Sequence, residues 1–499
     1  MPRYFLRIEA VNLGNTIDDT DDLSTRRGSG LMVLNAAVQF EEMMKSQIPS
    51  LTKIATGASI GLFRFEAEET AIAGIEGAVR EHFRSGTLEY ARNDSGKIDH
   101  LPLKYATFAV DIAPVKDTEH QTEQLLTANN RWRQLNEPTV PLAGIWDPAD
   151  ESCHFDCVRP GTMRVQMPEN KTVPASASVD ARRSYGRSAR QKFYEHETGL
   201  KDLRFTNELG DIGNPQRLKE ESAPTNTHDK LAVFYVDGNN FGKIGREQFI
   251  EGGSAKYTQW SESLQKHHRK LLKEFVELAA RDSSWQFQDS ATARIRLETI
   301  LWGGDEIVWV VPAWKGWELA EWFFSSEHAV GEIPITYACG LVFCHTKAPI
   351  KNIVKLAKEK LGESSKNAGK QTHHLAYEVL ESVDDITGDL EEHRSKWLPE
   401  KLKPVQDVDP DPLVFDPMLL TALVPALRAV AANGDFPTRQ LYRLCKLWRE
   451  DQDFADCIKR LKADDLKQPV ETVLNAFGGS DIAWLHLLQM LPYIPEATK

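Results

Sequence analysis

The order strand, helix, strand, strand, helix, strand is written twice into this 499-residue chain. It runs first through 4–11, 31–46, 52–57, 59–66, 70–84 and 104–113, with a further helix at 119–136. It recurs as 230–237, 254–281, 295–302, 306–312, 315–327 and 334–343, followed by a helix at 349–365 and a strand near 373–380. YFLRIEAV and KLAVFYVD open the two halves, and their apolar runs mark both as buried strands. A chain with this order closes each half as an α+β unit, with helices packed on one face of a sheet. Units this long are duplicated folded domains, since a solenoid has a far shorter period.

Side by side, IEAVNLGNTI (8–17) and VDGNNFGKIG (236–245) put Glu9 on Asp237, Asn12 on Asn240, Leu13 on Phe241 and Gly14 on Gly242. TGASIGLFRF (56–65) and GGDEIVWVVP (303–312) put Thr56 and Gly57 on Gly303 and Gly304, and Ala58 and Ser59 on Asp305 and Glu306. The first half keeps the strand and turn pattern and has lost the hairpin carboxylates.

The expected fold class is α+β: two ferredoxin-like units joined by an irregular segment, with a small all-α C-terminal domain. The boundaries fall at 1–137, 138–227, 228–382 and 383–499. The tail carries helical apolar spacing at 416–432, 437–447, 451–462, 468–476 and 480–491, after a charged, Pro-bearing connector at 385–412. Residues 17–30 read as a polar loop entering the helix at 31–46.

Bulk properties exclude several classes. No run of about 18 apolar residues is present, so no membrane span is expected. Arg7 and Glu9 break the first apolar run, which does not read as a secretory signal. Six cysteines in this length suggest reduced thiols and a cytoplasmic protein. Cys153 and Cys157, with His154 between them, lack the second pair of ligands that a structural zinc needs, and read as free thiols. A net charge of -13 argues against coating nucleic acid through a global field. Arg182, Arg183, Arg187, Arg190 and Lys192 form a local basic helix, read either as a solvated face or as a nucleic-acid patch with Tyr185 and Phe193.

The chemistry concentrates in two motifs, VDGNNFG and WGGDE. Nucleotidyl transfer needs positioning and cations more than covalent help from protein. Two Mg²⁺ (or Mn²⁺) ions activate a hydroxyl and stabilise the leaving pyrophosphate. Such ions take carboxylates and backbone carbonyls. Asp237 ends a buried strand and Asp305 follows a Gly-Gly turn, so neighbouring strands bring both to the same ions. Gly238 and Gly242 flank Asn239, Asn240 and Phe241, leaving backbone amides open to phosphates. Gly303 and Gly304 leave room for a nucleobase or ribose, and Lys366 in GESSKNAGK can meet a triphosphate.

VDGNNFG, WGGDE, PITYACGLVF and the helix after it resemble the GGDEF and polymerase-palm superfamily. Two such units in one chain, with a helical C-terminus, are most similar to the large polymerase-cyclase subunit of type III CRISPR complexes. RRGSGLMVLNAAVQF is similar to the helix entry of that family's first palm. The resemblance implies synthesis of cyclic oligonucleotides from nucleoside triphosphates, ATP favoured, in antiviral signalling. It implies catalysis by Asp237, Asp305 and Glu306, metal on Asp237, the Gly238 backbone and Asp305, and nucleotide contacts from Gly238 to Phe241 and at Gly303, Gly304 and Lys366. It makes RNA and CRISPR-type subunits expected partners, with a homo-oligomer a further option. The departures are Asn239 where a second Asp often stands, Glu306 as the last hairpin residue, and no expected HD nuclease domain, since the first palm begins at residue 4. Two other readings stay open: a non-catalytic nucleotide-binding scaffold of a ribonucleoprotein, and a diguanylate-cyclase-like enzyme, which the two-palm chain disfavours.

Overall fold

The computed structural model describes residues 1–92, 98–116, 118–136, 151–167, 171–215, 224–289, 292–381, 390–395, 397–398, 411–433, 436–462, 466–479 and 481–495. Most of the charged connector at 385–412 lies outside these residues.

In the first palm, β1 (Arg3–Val11) lies between β3 (Ile60–Glu66) and β4 (Thr107–Pro114), and β2 (Thr52–Thr56) pairs with β3. The order β2-β3-β1-β4 is antiparallel throughout and ferredoxin-like. α1 (Leu23–Val38) and α2 (Ile72–Ser85) bury their apolar sides, and α3 (Glu119–Asn136) lies where the spacing predicts it. α1 begins well before the expected residue 31. Asp22 caps it, accepting from the Thr25 amide at 2.8 Å, which stabilises a helix start within the polar stretch. Arg26 and Arg27 then face inward, not into a loop, and pair with Asp18 and Glu298.

The second palm repeats the plan. β5 (Lys230–Gly238) lies between β7 (Glu306–Pro312) and β8 (Tyr337–His345), with β6 (Glu298–Gly303) outside β7. α6 (Gly316–Ser325) covers the same face as α5 (Phe241–Arg281). α5 starts at Phe241 because Asn240, at φ 61°, turns the chain directly from strand into helix. The expected start near 254 marks only the kink at Gly253, where φ is 63°. β9 (His374–Val379) adds parallel to β8, and Val414–Phe415 adds at the edge.

Strand register places the repeat one residue away from the sequence alignment at the hairpin. Both hairpins carry a bulge at the same point, between Lys53 and Ala55 and between Thr299 and Leu301. Glu9 pairs with Ile60 as Asp237 pairs with Glu306. Ser59 and Ile60, rather than Ala58 and Ser59, therefore stand where Asp305 and Glu306 stand. Asn12 and Asn240 correspond as expected, both left-handed at φ 56° and 61°.

The connecting segment is more ordered than its composition suggests. Met163–Gln166 and Thr172–Ala175 form a hairpin, and α4 (Ala177–Thr198) follows. Neither reading of its basic face holds for Arg182, Arg183 and Arg190, which are buried. They pair with Asp19 at 2.7 Å, Asp22 at 3.3 Å and Glu298 at 2.9 Å. Arg187 and Lys192 alone are exposed. Tyr185 and Phe193 belong to the core. α4 lies backbone to backbone on α1: a Cβ on Gly28 would fall 1.8 Å from the Arg182 carbonyl oxygen.

The palms exchange helices. α1 of the first packs on β6 of the second, and α5 of the second packs on β2 of the first. One apolar core runs through both palms and the C-terminal helices α9 (Leu420–Ala431), α10 (Thr438–Arg449), α11 (Ala455–Leu461), α12 (Lys467–Ala476) and α13 (Ile482–Met490). α7 (Ile350–Lys355) continues through a π-helical stretch (Leu356–Gly362) into α8 (Glu363–Ala368) and covers the outer face of the second sheet. Among the described residues no helix is long and apolar enough to cross a membrane.

Candidate functional site

Asp237 and Glu306 are direct cross-strand partners at the ends of β5 and β7. The turn between β6 and β7 returns to the same point, because the Gly238 amide donates to the Asp305 carbonyl oxygen at 2.8 Å. The sheet therefore gathers the three expected carboxylates at one corner. Tyr235 lies two residues before Asp237 and so on the same face. Its hydroxyl lies 2.9 Å from Asp237 Oδ2 and 2.8 Å from Glu306 Oε1.

Two lysines close on this corner from the helix above. Lys366 Nζ lies 2.6 Å from Asp237 Oδ2, and Lys358 Nζ lies 2.5 Å from Glu306 Oε1. Lys366 thus joins the site as expected, but it meets a carboxylate. Tyr235 and Lys358 were not anticipated. The period of two could have flagged Tyr235. Nothing in the sequence flags Lys358, whose position depends on the π-helical stretch.

The electrostatics are those of crowded acids. Asp305 sits on the cleft floor, open to solvent yet ringed by protein atoms. That crowding, then the charges of Asp237 and Glu306, pushes its carboxyl up to about 6. Burial also raises Asp237, against the opposing pull of Lys366. Burial lowers the Lys366 ammonium, but its hydrogen bond to Asp237 outweighs this and leaves it above the usual lysine value.

The remaining expected residues divide. Gly303 and Gly304 adopt φ 121° and 65°, which favour glycine, and they touch the hairpin of the first palm. A Cβ on Gly303 would stand 3.3 Å from Ala58 Cα. Asn240 forms the strand-to-helix corner. Phe241 is a core side chain, 5.5 Å from the Tyr337 ring, and the Gly238 backbone lies against it. Asn239 is buried and turned from the carboxylates. Its Nδ2 donates to Thr336 Oγ1 at 3.0 Å, and its amide donates to the Thr336 carbonyl. It ties the end of β5 to the segment before β8.

Beside the hairpin contact lies a cavity of about 370 Å³ between the palms. Arg7, Thr56, Arg246, Gln265, Trp302 and Asp305 are among its walls. Gln265, from α5, donates to the Thr56 carbonyl oxygen at 2.9 Å and bridges the palms. In the first palm Arg7 bonds Glu9 at 2.8 Å, the same two-residue contact that Tyr235 makes with Asp237.

The donor set suits a hard divalent cation in kind: carboxylate oxygens and strand-end carbonyls, with a lysine ammonium already seated on Asp237. Among the described residues no three His, Cys, Asp or Glu side chains converge to chelate an ion unaided, so oxygens of a ligand would have to complete the sphere. Cys153 packs in a small core with Val165 and Val179, and Cys157 is exposed.

Residues 230–374 match the family model for the second palm domain of Cas10/Cmr2. No curated protein matches the chain. Among solved structures, Csm1 in T. onnurineus aligns with 11% identity and a TM-score of 0.55, over 99% of this chain and 70% of its own. A Csm1–Csm4 cassette in complex with cA4 aligns with 11% identity and a TM-score of 0.51, over 98% of this chain and 69% of its own. The same cassette in complex with pppApA gives 11% and 0.51, over 99% and 70%. At that identity the likeness is one of fold.

Proposed function

We propose that this chain, a type III CRISPR large subunit by its Cas10/Cmr2 second palm and its Csm1 fold, joins nucleoside triphosphates into a cyclic oligonucleotide, ATP favoured. The observation that carries the reading is the acidic corner of Asp237, Asp305 and Glu306 on the second palm, set against the hairpin of the first palm, which lacks those acids. The complexes of the similar cassettes with cA4 and pppApA support the choice of substrate.

One nucleotide lies on the second palm with its phosphates at the acidic corner. The other lies in the cavity on the first palm, its 3′-hydroxyl facing the α-phosphate of the first. The hydroxyl oxygen forms the new bond to phosphorus as the bond to pyrophosphate breaks, and the hydroxyl proton passes to solvent. Two Mg²⁺ (or Mn²⁺) ions, when bound, lower the charge on the phosphates and on the attacking oxygen. Asp237, the Gly238 carbonyl and Asp305 would hold them. Lys366 and Lys358 face the triphosphate, and Glu306 and Tyr235 orient the corner. Gly303 and Gly304 keep the hairpin free of side chains where the two nucleotides meet.

The test is incubation of the purified chain with labelled ATP and Mg²⁺ or Mn²⁺, with products read by mass spectrometry. Asp305→Ala is expected to abolish product, and full activity in that variant would remove its role. A scaffold that only binds nucleotide is the second reading, favoured by the lysines already paired with Asp237 and Glu306. Retention of triphosphate with no turnover, together with co-purified RNA and protein subunits, would select it.

A further inference from the structure

Three carboxylates and two ammonium groups share the acidic corner. Lys366 holds Asp237, and Lys358 spans Glu306 at 2.5 and 2.7 Å. Among the described residues, Asp305 alone of the three has no ammonium at ion-pair distance, and Lys366 is itself shared with the exposed Glu363 at 3.1 Å. The Tyr235 hydroxyl has a single proton to give, yet it touches both Asp237 and Glu306, so it adds no charge and ties the two acids together. Asn239, buried on Thr336, adds none either.

Mg²⁺ gives up water reluctantly and is held by one or two carboxylates together with substrate phosphates. One uncompensated carboxylate is a poor seat for two divalent ions. The position of Lys358 is built into the fold. It lies in the π-helical stretch, and Gly340 lets that stretch approach β8: a Cβ there would fall 2.1 Å from the Ala357 carbonyl oxygen. The Lys358 side chain is 41% exposed. A partly exposed pair of this kind has a small net energy, so it can be displaced.

We infer that Lys358 and Lys366 act as resident counter-ions. The second palm holds no divalent pair by itself, and metal enters together with the nucleotide. The triphosphate draws the two ammonium groups off Asp237 and Glu306 and exposes those oxygens. Lys358 acts twice in this scheme: it covers Glu306 before nucleotide arrives and meets the triphosphate afterwards. The inference rests on the proposed nucleotide site and adds the order in which that site is filled.

The experiment titrates the full chain with Mn²⁺, following free Mn²⁺ by electron paramagnetic resonance, with and without a non-hydrolysable ATP analogue. The wild type is expected to bind Mn²⁺ at least about tenfold more tightly with the analogue, within the usual range of coupling between ligands. Lys358→Met is expected to take up Mn²⁺ without nucleotide and to lose most of that coupling. Lys358→Arg is expected to behave as the wild type. Equal Mn²⁺ affinity with and without the analogue in the wild type overturns the inference alone. So does a Lys358→Met variant unchanged in nucleotide-free binding. Failure to bind the analogue under any condition overturns the proposed function as well.

Discussion

The ring of Tyr235 fills the space that a side chain at Gly362 would need: a Cβ built there lies 2.6 Å from the ring. The phenol that reaches Asp237 and Glu306 is thus held by a glycine on the helix above. Tyr235→Phe keeps the ring and removes only the hydroxyl. Hydrogen bonds to charged groups contribute about 1.5–3 kcal/mol, so product formation should fall roughly ten- to a hundredfold with the melting temperature little changed. Gly362→Ala should lower it by displacing the ring. Wild-type turnover in Tyr235→Phe would show that the phenol positions nothing.

Glu298 receives Arg27 from α1 and Arg190 from α4, at 2.5 and 2.9 Å, with all three side chains buried. Glu298→Gln keeps the shape and leaves two buried cations without a counter-charge. Removing one partner from a buried pair typically costs about 3–5 kcal/mol. Urea unfolding should show a loss of that order. A loss near that of an exposed ion pair would mean that water reaches the cluster.

Two glycines give opposite expectations for the same change. Gly28→Ala drives a methyl group into the Arg182 backbone and should destabilise by at least about 1–3 kcal/mol. Gly77 is exposed within α2 and has nothing within 4 Å of an added Cβ. Gly77→Ala should stabilise by about 0.5–1 kcal/mol. Thermal denaturation of the two variants, run together, checks the pair, and shifts of the same sign would contradict it.

Burial lowers four histidines: His267 to about 4, and His268, His328 and His486 to about 3. Each stays neutral in the folded chain at a pH where the unfolded chain binds a proton. Their contribution is complete above about pH 6.5 and is lost as pH falls toward those values, at about 1.4 kcal/mol per pH unit for each group. The urea midpoint should therefore drop between pH 7 and pH 5 at constant salt. A midpoint that holds or rises over that range would show that these rings already carry protons.

What the sequence made legible follows from periodicity and chain punctuation. The two strand orders could be read because β5 is a continuous apolar run from Leu231 to Val236 and β1 is apolar apart from Arg3, Arg7 and Glu9. Asp237, Asp305 and Glu306 could be placed together because Asp237 lies at the end of a strand, Glu306 begins the next, and Asp305 sits in the Gly-Gly turn that leads into it. Lys358 could not, since its meeting with Glu306 depends on a π-helical stretch that leaves no mark in spacing. The arginines of α4 misled for a related reason: charge suggests water, and only acids distant in sequence, Asp19, Asp22 and Glu298, make their burial favourable. The alignment of Ala58 with Asp305 failed by one residue because the two hairpins, equal in length, offer one glycine against two: matched by letter alone, Gly57 fits Gly304 as well as Gly303, and only the strand register decides.

The mutual packing of α1 on β6 and α5 on β2 has a consequence for direction. In a pair of identical subunits every substitution appears on both sides, so neither side can be assigned to give and the other to receive. With both halves on one chain, Ser59 and Ile60 can take in one half the positions that Asp305 and Glu306 take in the other. The cleft then has a polarity set by covalent sequence, and a growing strand would have one fixed end and one moving end.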